Sequence, residues 1–324
     1  MNLTAILETS KGLEVQGKYT DADKLLSGAI LQLHNLTGTE TAKLFNQRGI
    51  VRRMLERYDE SFRDYESAFN TSFSDQEQRA LACINKADIY RVARKDFKKA
   101  HESLDAALVL AEEESLTQAK ALDQRGLVFV AEQKYDPAYS SYDAARQVCE
   151  KLLITEPKKK DVANRFAQII HHIGSAYLLA KDPSKIDEAY ESQITALNIF
   201  INLEDQQGIV NTISTIGNIA MIKADPDKAL EQYMKALSIL QHTKYQRGIA
   251  GLSLSIAEAH LSKKQPQKAE EYLINFCAGV VDGKITQHDI ILIKDQFRRV
   301  YDDLHNQRGA MHIGIEGVRK KFFQ

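Results

Sequence analysis

Tryptophan is absent from the 324-residue sequence, cysteine occurs three times, proline five times and glycine sixteen times. So few backbone breakers over this length favour helices over a many-turned β protein. Cys83, Cys149 and Cys277 stand far apart, which excludes a C-x-x-C metal or redox motif and argues against a disulfide framework. No stretch approaches the roughly 18 apolar residues that a spanning helix needs. The best candidate, around Ile169 to Ala180, is broken by His171, His172 and Ser175. The N-terminus has no basic region leading into a long apolar run, so no signal peptide is read and a cytoplasmic location is expected. Lys and Arg number 43 against 44 Asp and Glu, a net charge of −1, so no whole-chain charge draws in nucleic acid or an anionic membrane. A hydrophobic share of 44% with 27% charged residues is that of an ordered globular chain.

What is present is a repeat. Aligned on small residues inside helical patterns, the chain shows Ala or Ser at +12, an aromatic residue or Leu at +16 and Ala at +19. Gly126, Ala138, Tyr142 and Ala145 fit without a gap, as do Gly217, Ala229, Tyr233 and Ala236. Gly49, Ser61, Tyr65 and Ala68 fit with one conservative change, and Ala257, Ala269, Leu273 and Phe276 with a bulkier last member. Ala87, Ala100, Leu104 and Ala107 carry one extra residue, and Gly174, Ala189, Gln193 and Ala196 carry three. Weaker copies are Ser10, Ala22, Leu26 and Ala29 at one end, and Arg298, Ala310, Gly314 and Gly317 at the other. Small residues at these spacings read as two helices that must approach closely, because a larger side chain would force their axes apart. Pro137, Pro183, Pro226 and Pro266 all fall in the turns between the paired helices, where proline suits the first helical turn.

This pattern resembles the tetratricopeptide repeat, a helix-turn-helix unit with a small residue in its first helix and small, aromatic and small positions in its second. The resemblance covers about residues 3 to 323. Successive anchors lie 39, 38, 39, 48, 43, 40 and 41 residues apart, longer than the family's usual unit and similar to a long-period subclass found in signalling and scaffold proteins. It implies an all-α fold, a right-handed superhelix (α-solenoid) of about eight antiparallel helix pairs, forming a single array over 1–324. Divergent capping repeats are expected at 1–38 and 283–324. A seam is expected at 155–161, where the second helix of one repeat stops near Thr155 and the Lys158-Lys159-Lys160 run opens the next.

Enzymatic signatures are missing: the sequence holds no H-E-x-x-H, no G-x-x-x-x-G-K-[ST], no G-x-S-x-G and no G-x-G-x-x-G. His171 and His172 point about 100° apart on a helix and have no carboxylate or Cys at i+3 or i+4, so no metal is expected there. No cofactor is expected. The short basic end Arg319-Lys320-Lys321 reads as the close of a capping helix, and no nucleic-acid module is evident.

The resemblance also implies that first helices line a concave groove, at positions −6, −3, +1 and +4 from each small anchor. The spacing puts these on one helical stripe. In the first three full repeats the stripe reads Lys43, Asn46, Ile50, Arg53; Leu81, Ile84, Asp88, Arg91; and Lys120, Asp123, Leu127, Val130. It continues through Gln168, His171, Ser175 and Leu178, and through Asn211, Ser214, Asn218 and Met221. Amides can both donate to and accept from a peptide backbone, Arg selects acidic groups, and Leu or Met takes apolar ones. The expected function is therefore a non-enzymatic interaction scaffold holding a protein or peptide partner, with contacts from Asn46, Arg53, Asp88, Arg91, His171, Asn211 and Asn218. Ser214 stands where the family's chaperone-tail clamp would need Lys four before Asn218, so that clamp is not expected. Two rival expectations are a peptide-responsive regulator that changes superhelix pitch, and self-association through the apolar pattern of Ile285 to Ile293 and Phe322-Phe323.

Overall fold

The structure is a computed structural model that describes residues 2–32, 36–241, 246–282, 287–309 and 311–322. Side chains are described for all of these except 15, 241, 246–247, 287–293 and 322. The apolar residues at 285–293 and 322–323 singled out for self-association therefore lie outside the described side chains.

Among the described residues the chain is all-α, an α-solenoid of sixteen helices without a strand. It packs as two compact units, Met1–Ile199 and Phe200–Gln324. The first holds α1 (Leu3–Val15), α2 (Tyr19–Gln32), α3 (Gly38–Met54), α4 (Tyr58–Thr71), α5 (Gln76–Ile89), α6 (Phe97–Leu110), α7 (Leu116–Ala131), α8 (Tyr135–Thr155) and α9 (Lys160–Leu179), and most of α10 (Ile186–Asn202). The second holds α11 (Gln206–Ile222), α12 (Pro226–Gln241), α13 (Gln246–Ser262), α14 (Pro266–Val281), α15 (Gln287–Arg308) and α16 (Ile313–Phe322).

Five of the first helices, α1, α3, α5, α7 and α11, start on a side-chain cap. Asn2, Asp75, Ser115 and Asp205 accept from the backbone N–H three residues on, and Thr37 with Glu40 forms a reciprocal capping box. Five first helices, α1, α3, α7, α11 and α13, share one ending. Gly17, Glu56, Gln133, Ala224 and Lys264 adopt positive φ of 57–70°, and two backbone hydrogen bonds close the turn, as in Gln133 N to Val130 O and Lys134 N to Phe129 O. Only the first of these five positions is glycine.

The anchors pack as the repeat requires, with a pairing the spacing alone does not state. A β-carbon on Gly49, Gly126 or Gly217 would lie 2.3–2.4 Å from a ring carbon of Tyr65, Tyr142 or Tyr233, so the aromatic residue sixteen positions on fills the space the anchor leaves. Where that residue is Leu104 or Leu273, the anchor is Ala87 or Ala257 instead of glycine, and all four are fully buried. Small goes with large and larger with smaller, at nearly constant volume. Ser61 stands for the usual Ala, and its buried hydroxyl donates to Gly49 O at 2.7 Å across the helix pair.

The two insertions have physical homes. The single extra residue after Ala87 is taken up by a π turn over Tyr90–Arg94, and the three extra after Gly174 coincide with a 3₁₀ turn over Pro183–Lys185, capped by Asp182. At 155–161, α8 ends at Thr155 and α9 opens at Lys160. The first weak copy packs as a repeat, with Ser10, Ala22, Leu26 and Ala29 all buried. The last copy needs correcting: Arg298, Gly314 and Gly317 are exposed, and the core there is built from Phe297, Tyr301 and Leu304 on α15 with Ile315 and Val318 on α16. Large apolar side chains, not small anchors, hold that final pair together, so its register cannot be read from glycine spacing.

Candidate functional site

Five helices of the first unit present one face each to a groove of about 500 Å³: α1, α3, α5, α7 and α9. Its apolar floor comes from Leu7, Ile50, Leu81 and Ile84. Its amides are Asn46, Gln47, Gln78, Asn85 and Gln124, and its cations Lys11, Lys43, Arg53, Lys120 and Arg165. Asp88 is the one carboxylate among the lining residues.

Three of the residues expected from sequence, Arg53, Asp88 and Arg91, form one cluster. The Asp88 carboxylate takes Arg91 at 2.5 Å, Gln124 Nε2 at 2.9 Å and Arg53 at 3.2 Å. Burial alone would push the Asp88 carboxyl up, but the two guanidinium charges and the hydrogen bonds from Arg91 and Gln124 outweigh it and hold the group below the usual carboxylate range. Arg91 reaches Asp88 from the π turn, a geometry that often accompanies functional sites.

Asn46 also borders the groove but is 5% exposed, and its Nδ2 donates to the backbone carbonyl and side chain of Gln78 at 3.1 Å. These bonds tie α3 to the neighbouring first helix, α5. Asp123 likewise ties α7 to α9: it is buried, accepts from Arg165 at 2.8 Å and pairs with His172 Nδ1 at 2.7 Å.

His171 is brought to a different task. Gln193 occupies the position where other repeats place Tyr or Leu, and its buried amide must be satisfied. His171 does this: its Nδ1 pairs with Gln193 Oε1 at 2.7 Å, and Gln193 Nε2 donates to the His171 carbonyl at 3.1 Å. Burial first, then the neighbouring His172, pushes the His171 imidazole down to about 4, so it is neutral near pH 7. Asn211 and Asn218 belong to the second unit. Both are exposed, two turns apart on α11; Asn211 Oδ1 accepts from Gln207 at 2.8 Å and Asn218 Oδ1 from the Tyr233 hydroxyl at 2.7 Å.

Sequence reasoning missed Gln47, Asn85 and Gln124. All three stand at −2 from their anchors Gly49, Ala87 and Gly126, so an amide recurs at one position in three successive repeats. With −6 and +1 this position completes a 4 and 3 spacing on one helical face. That column was a legible signal. Lys11 stands at +1 from the weak anchor Ser10 on α1, and Arg165 lies near the start of α9, beyond the four stripe positions.

The sequence matches no protein-family model and no curated protein. Solved structures of similar fold include a Rap protein in complex with competence and sporulation factor, at TM-score 0.58 and 14% identity over 94% of this chain and 99% of that one. Aspartyl phosphate phosphatase F from Bacillus subtilis aligns at TM-score 0.58 and 11% identity over 98% of this chain and 94% of that one. A signal-transduction ATPase from Pyrococcus horikoshii with a tetratricopeptide repeat sensor aligns at TM-score 0.58 and 14% identity over 95% of this chain and 50% of that one. At such identities the likeness defines the fold alone: an all-α helical repeat protein whose structural neighbours include tetratricopeptide-repeat proteins. No described helix is long and apolar enough to cross a membrane.

Proposed function

We propose that the chain is a non-enzymatic scaffold of the long-period tetratricopeptide type, which holds an extended peptide segment of a partner in the groove of its first unit. The observation that carries this reading is the column Gln47, Asn85 and Gln124 beside the aliphatic floor of Leu81 and Ile84. Amides at one repeat position meet a peptide backbone at regular intervals, and the floor accepts its apolar side chains. Asn85 has no hydrogen-bond partner among the described residues, so both its donor and its acceptor are available to a guest.

Arg53 and Asp88 line the groove and Arg91 braces Asp88, Asn46 ties the first helices of adjacent repeats, and Asn211 and Asn218 offer amide nitrogens on the second unit. That a Rap protein of similar fold is seen in complex with competence and sporulation factor supports a binding role for the fold. The three thiols are free and buried, which suits a reducing cytoplasmic setting.

Selection from a displayed random-peptide library against the immobilised chain tests the proposal. Selected peptides are expected to compete with one another and to lose at least about tenfold in affinity, roughly 1.4 kcal/mol, on Leu81→Asp or Asn85→Ala. Failure to enrich any peptide, or binding indifferent to both substitutions, would count against it.

A further inference from the structure

We propose that the guest of this groove is an acidic peptide segment, whose carboxylates meet Lys11, Lys43 and Lys120 while its apolar side chains rest on Leu81 and Ile84. The inference rests on the peptide-binding reading and adds the charge of the guest.

The first ground is asymmetry. A chain whose net charge is −1 places five cations and one carboxylate on the lining of a single groove, and that carboxylate, Asp88, is already shared by Arg53 and Arg91. The carboxylates that act on these lysines without pairing with them, Glu14 on Lys11, Glu40 on Lys43, and Glu77 and Asp161 on Lys120, have hydrogen-bond partners of their own. Glu14 accepts from Ser10 and Gln47 at 3.0 and 2.6 Å, Glu40 is held by its capping box with Thr37, and Glu77 accepts from Thr117 at 3.3 Å. Lys11, Lys43 and Lys120 have no hydrogen-bond or ion-pair partner among the described residues.

The second ground is the cost of that arrangement. Lys120 is half-buried beside Arg165, and burial together with this like charge pushes its ammonium below the ordinary lysine range. Arg165 already pairs with Asp123 at 2.8 Å, so a guest carboxylate beside Lys120 would supply the one of these two desolvated cations that lacks an anion.

The third ground separates an acidic peptide from a nucleic acid. Single-stranded nucleic acids are held by cations interleaved with aromatic platforms for the bases. The groove lining contains no aromatic residue; its apolar part is Leu and Ile. The column of amides suits a peptide backbone and gives a base nothing to stack on.

Fluorescence anisotropy with short degenerate peptide pools tests this directly. One pool carries Asp and Glu at alternate positions, one the matching Asn and Gln, one Lys and Arg, and an oligouridylate serves as the nucleic-acid arm. The acidic pool is expected to bind at least about tenfold more tightly than the amide pool, and to weaken as salt rises from about 50 to about 300 mM. Lys11→Gln, Lys43→Gln and Lys120→Gln combined, with helix content checked by circular dichroism, should bring the acidic pool to the level of the amide pool. Lys98→Gln, on α6 and outside the groove, should change nothing. Equal binding of acidic and amide pools, an undiminished preference in the triple variant, or tighter binding of the oligouridylate would overturn the charge inference while leaving peptide binding intact. Absence of binding by every peptide pool would overturn both.

Discussion

The ring of Tyr142 occupies the volume that a β-carbon on Gly126 would need: that carbon would sit 2.3 Å from Cε1 of the tyrosine. The relationship recurs at Gly49 with Tyr65 and Gly217 with Tyr233, and it is answered by Ala87 with Leu104 and Ala257 with Leu273. Gly126→Ala should therefore destabilise by about 1–3 kcal/mol through overpacking, and Tyr142→Leu by a similar amount through a cavity. The double variant should cost at least about 1 kcal/mol less than the sum. Urea unfolding of the four proteins measures the coupling, and strict additivity would refute the pairing.

The positive-φ turn residues predict a stabilising change. Ala224 holds φ 57° at the close of α11, a conformation that costs a side-chain-bearing residue about 1–2 kcal/mol. Ala224→Gly removes that cost, less the roughly 0.4–1 kcal/mol of extra chain entropy lost by glycine on folding. The expected net gain is a few tenths to about 1 kcal/mol, read as a higher urea midpoint. A lower midpoint would contradict the turn geometry.

His171 gives the chain a pH-dependent stability. Its folded-state value of about 4 lies below the ordinary histidine value, so the unfolded chain takes up a proton before the folded one. Its contribution is fully present near pH 7 and is lost as pH falls from about 6.5 toward 4, about 2 kcal/mol between pH 7 and 5. His171→Gln should flatten that part of the stability profile measured by urea unfolding. An unchanged slope would show that His171 is not the group responsible.

Asp88→Asn should cost about 2 kcal/mol, because it leaves Arg53 and Arg91 facing each other without their shared anion; both guanidiniums retain partial solvent access, which keeps the loss below that of a fully buried pair. The same substitution adds net positive charge to the groove, so binding of acidic peptides should tighten while stability falls. A weakening of such peptides would contradict the charge assignment of the lining.

Much of the fold was legible because its signals are steric. The spacing of Gly126, Ala138, Tyr142 and Ala145 marks residues that are all buried, and the one-residue and three-residue surpluses after Ala87 and Gly174 became a π turn and a 3₁₀ turn. The last pair was misaligned because Phe297 and Tyr301 hold it by bulk, which leaves no small-residue signature. In the site, the family stripe named Arg53, Asp88 and Arg91, which the fold brings into one cluster, while at −3 Ile84 lines the groove and Asn46 and Asp123 bond to residues of neighbouring first helices. His171 was placed in the groove by register, although the Gln193 that claims it departs visibly from the repeat pattern. A buried amide in an apolar position demands a partner, and that demand comes from three-dimensional packing.

The central claim is that the guest lies along the first helices of the first unit. Site-specific photo-crosslinking of a selected peptide tests it most directly, with a photoreactive residue at Leu81 on the groove floor or at Val109, 85% exposed on α6. The account predicts saturable crosslinking at Leu81 that unlabelled peptide abolishes, and none above background at Val109. Equal labelling at the two positions, or labelling at Val109 alone, would contradict it.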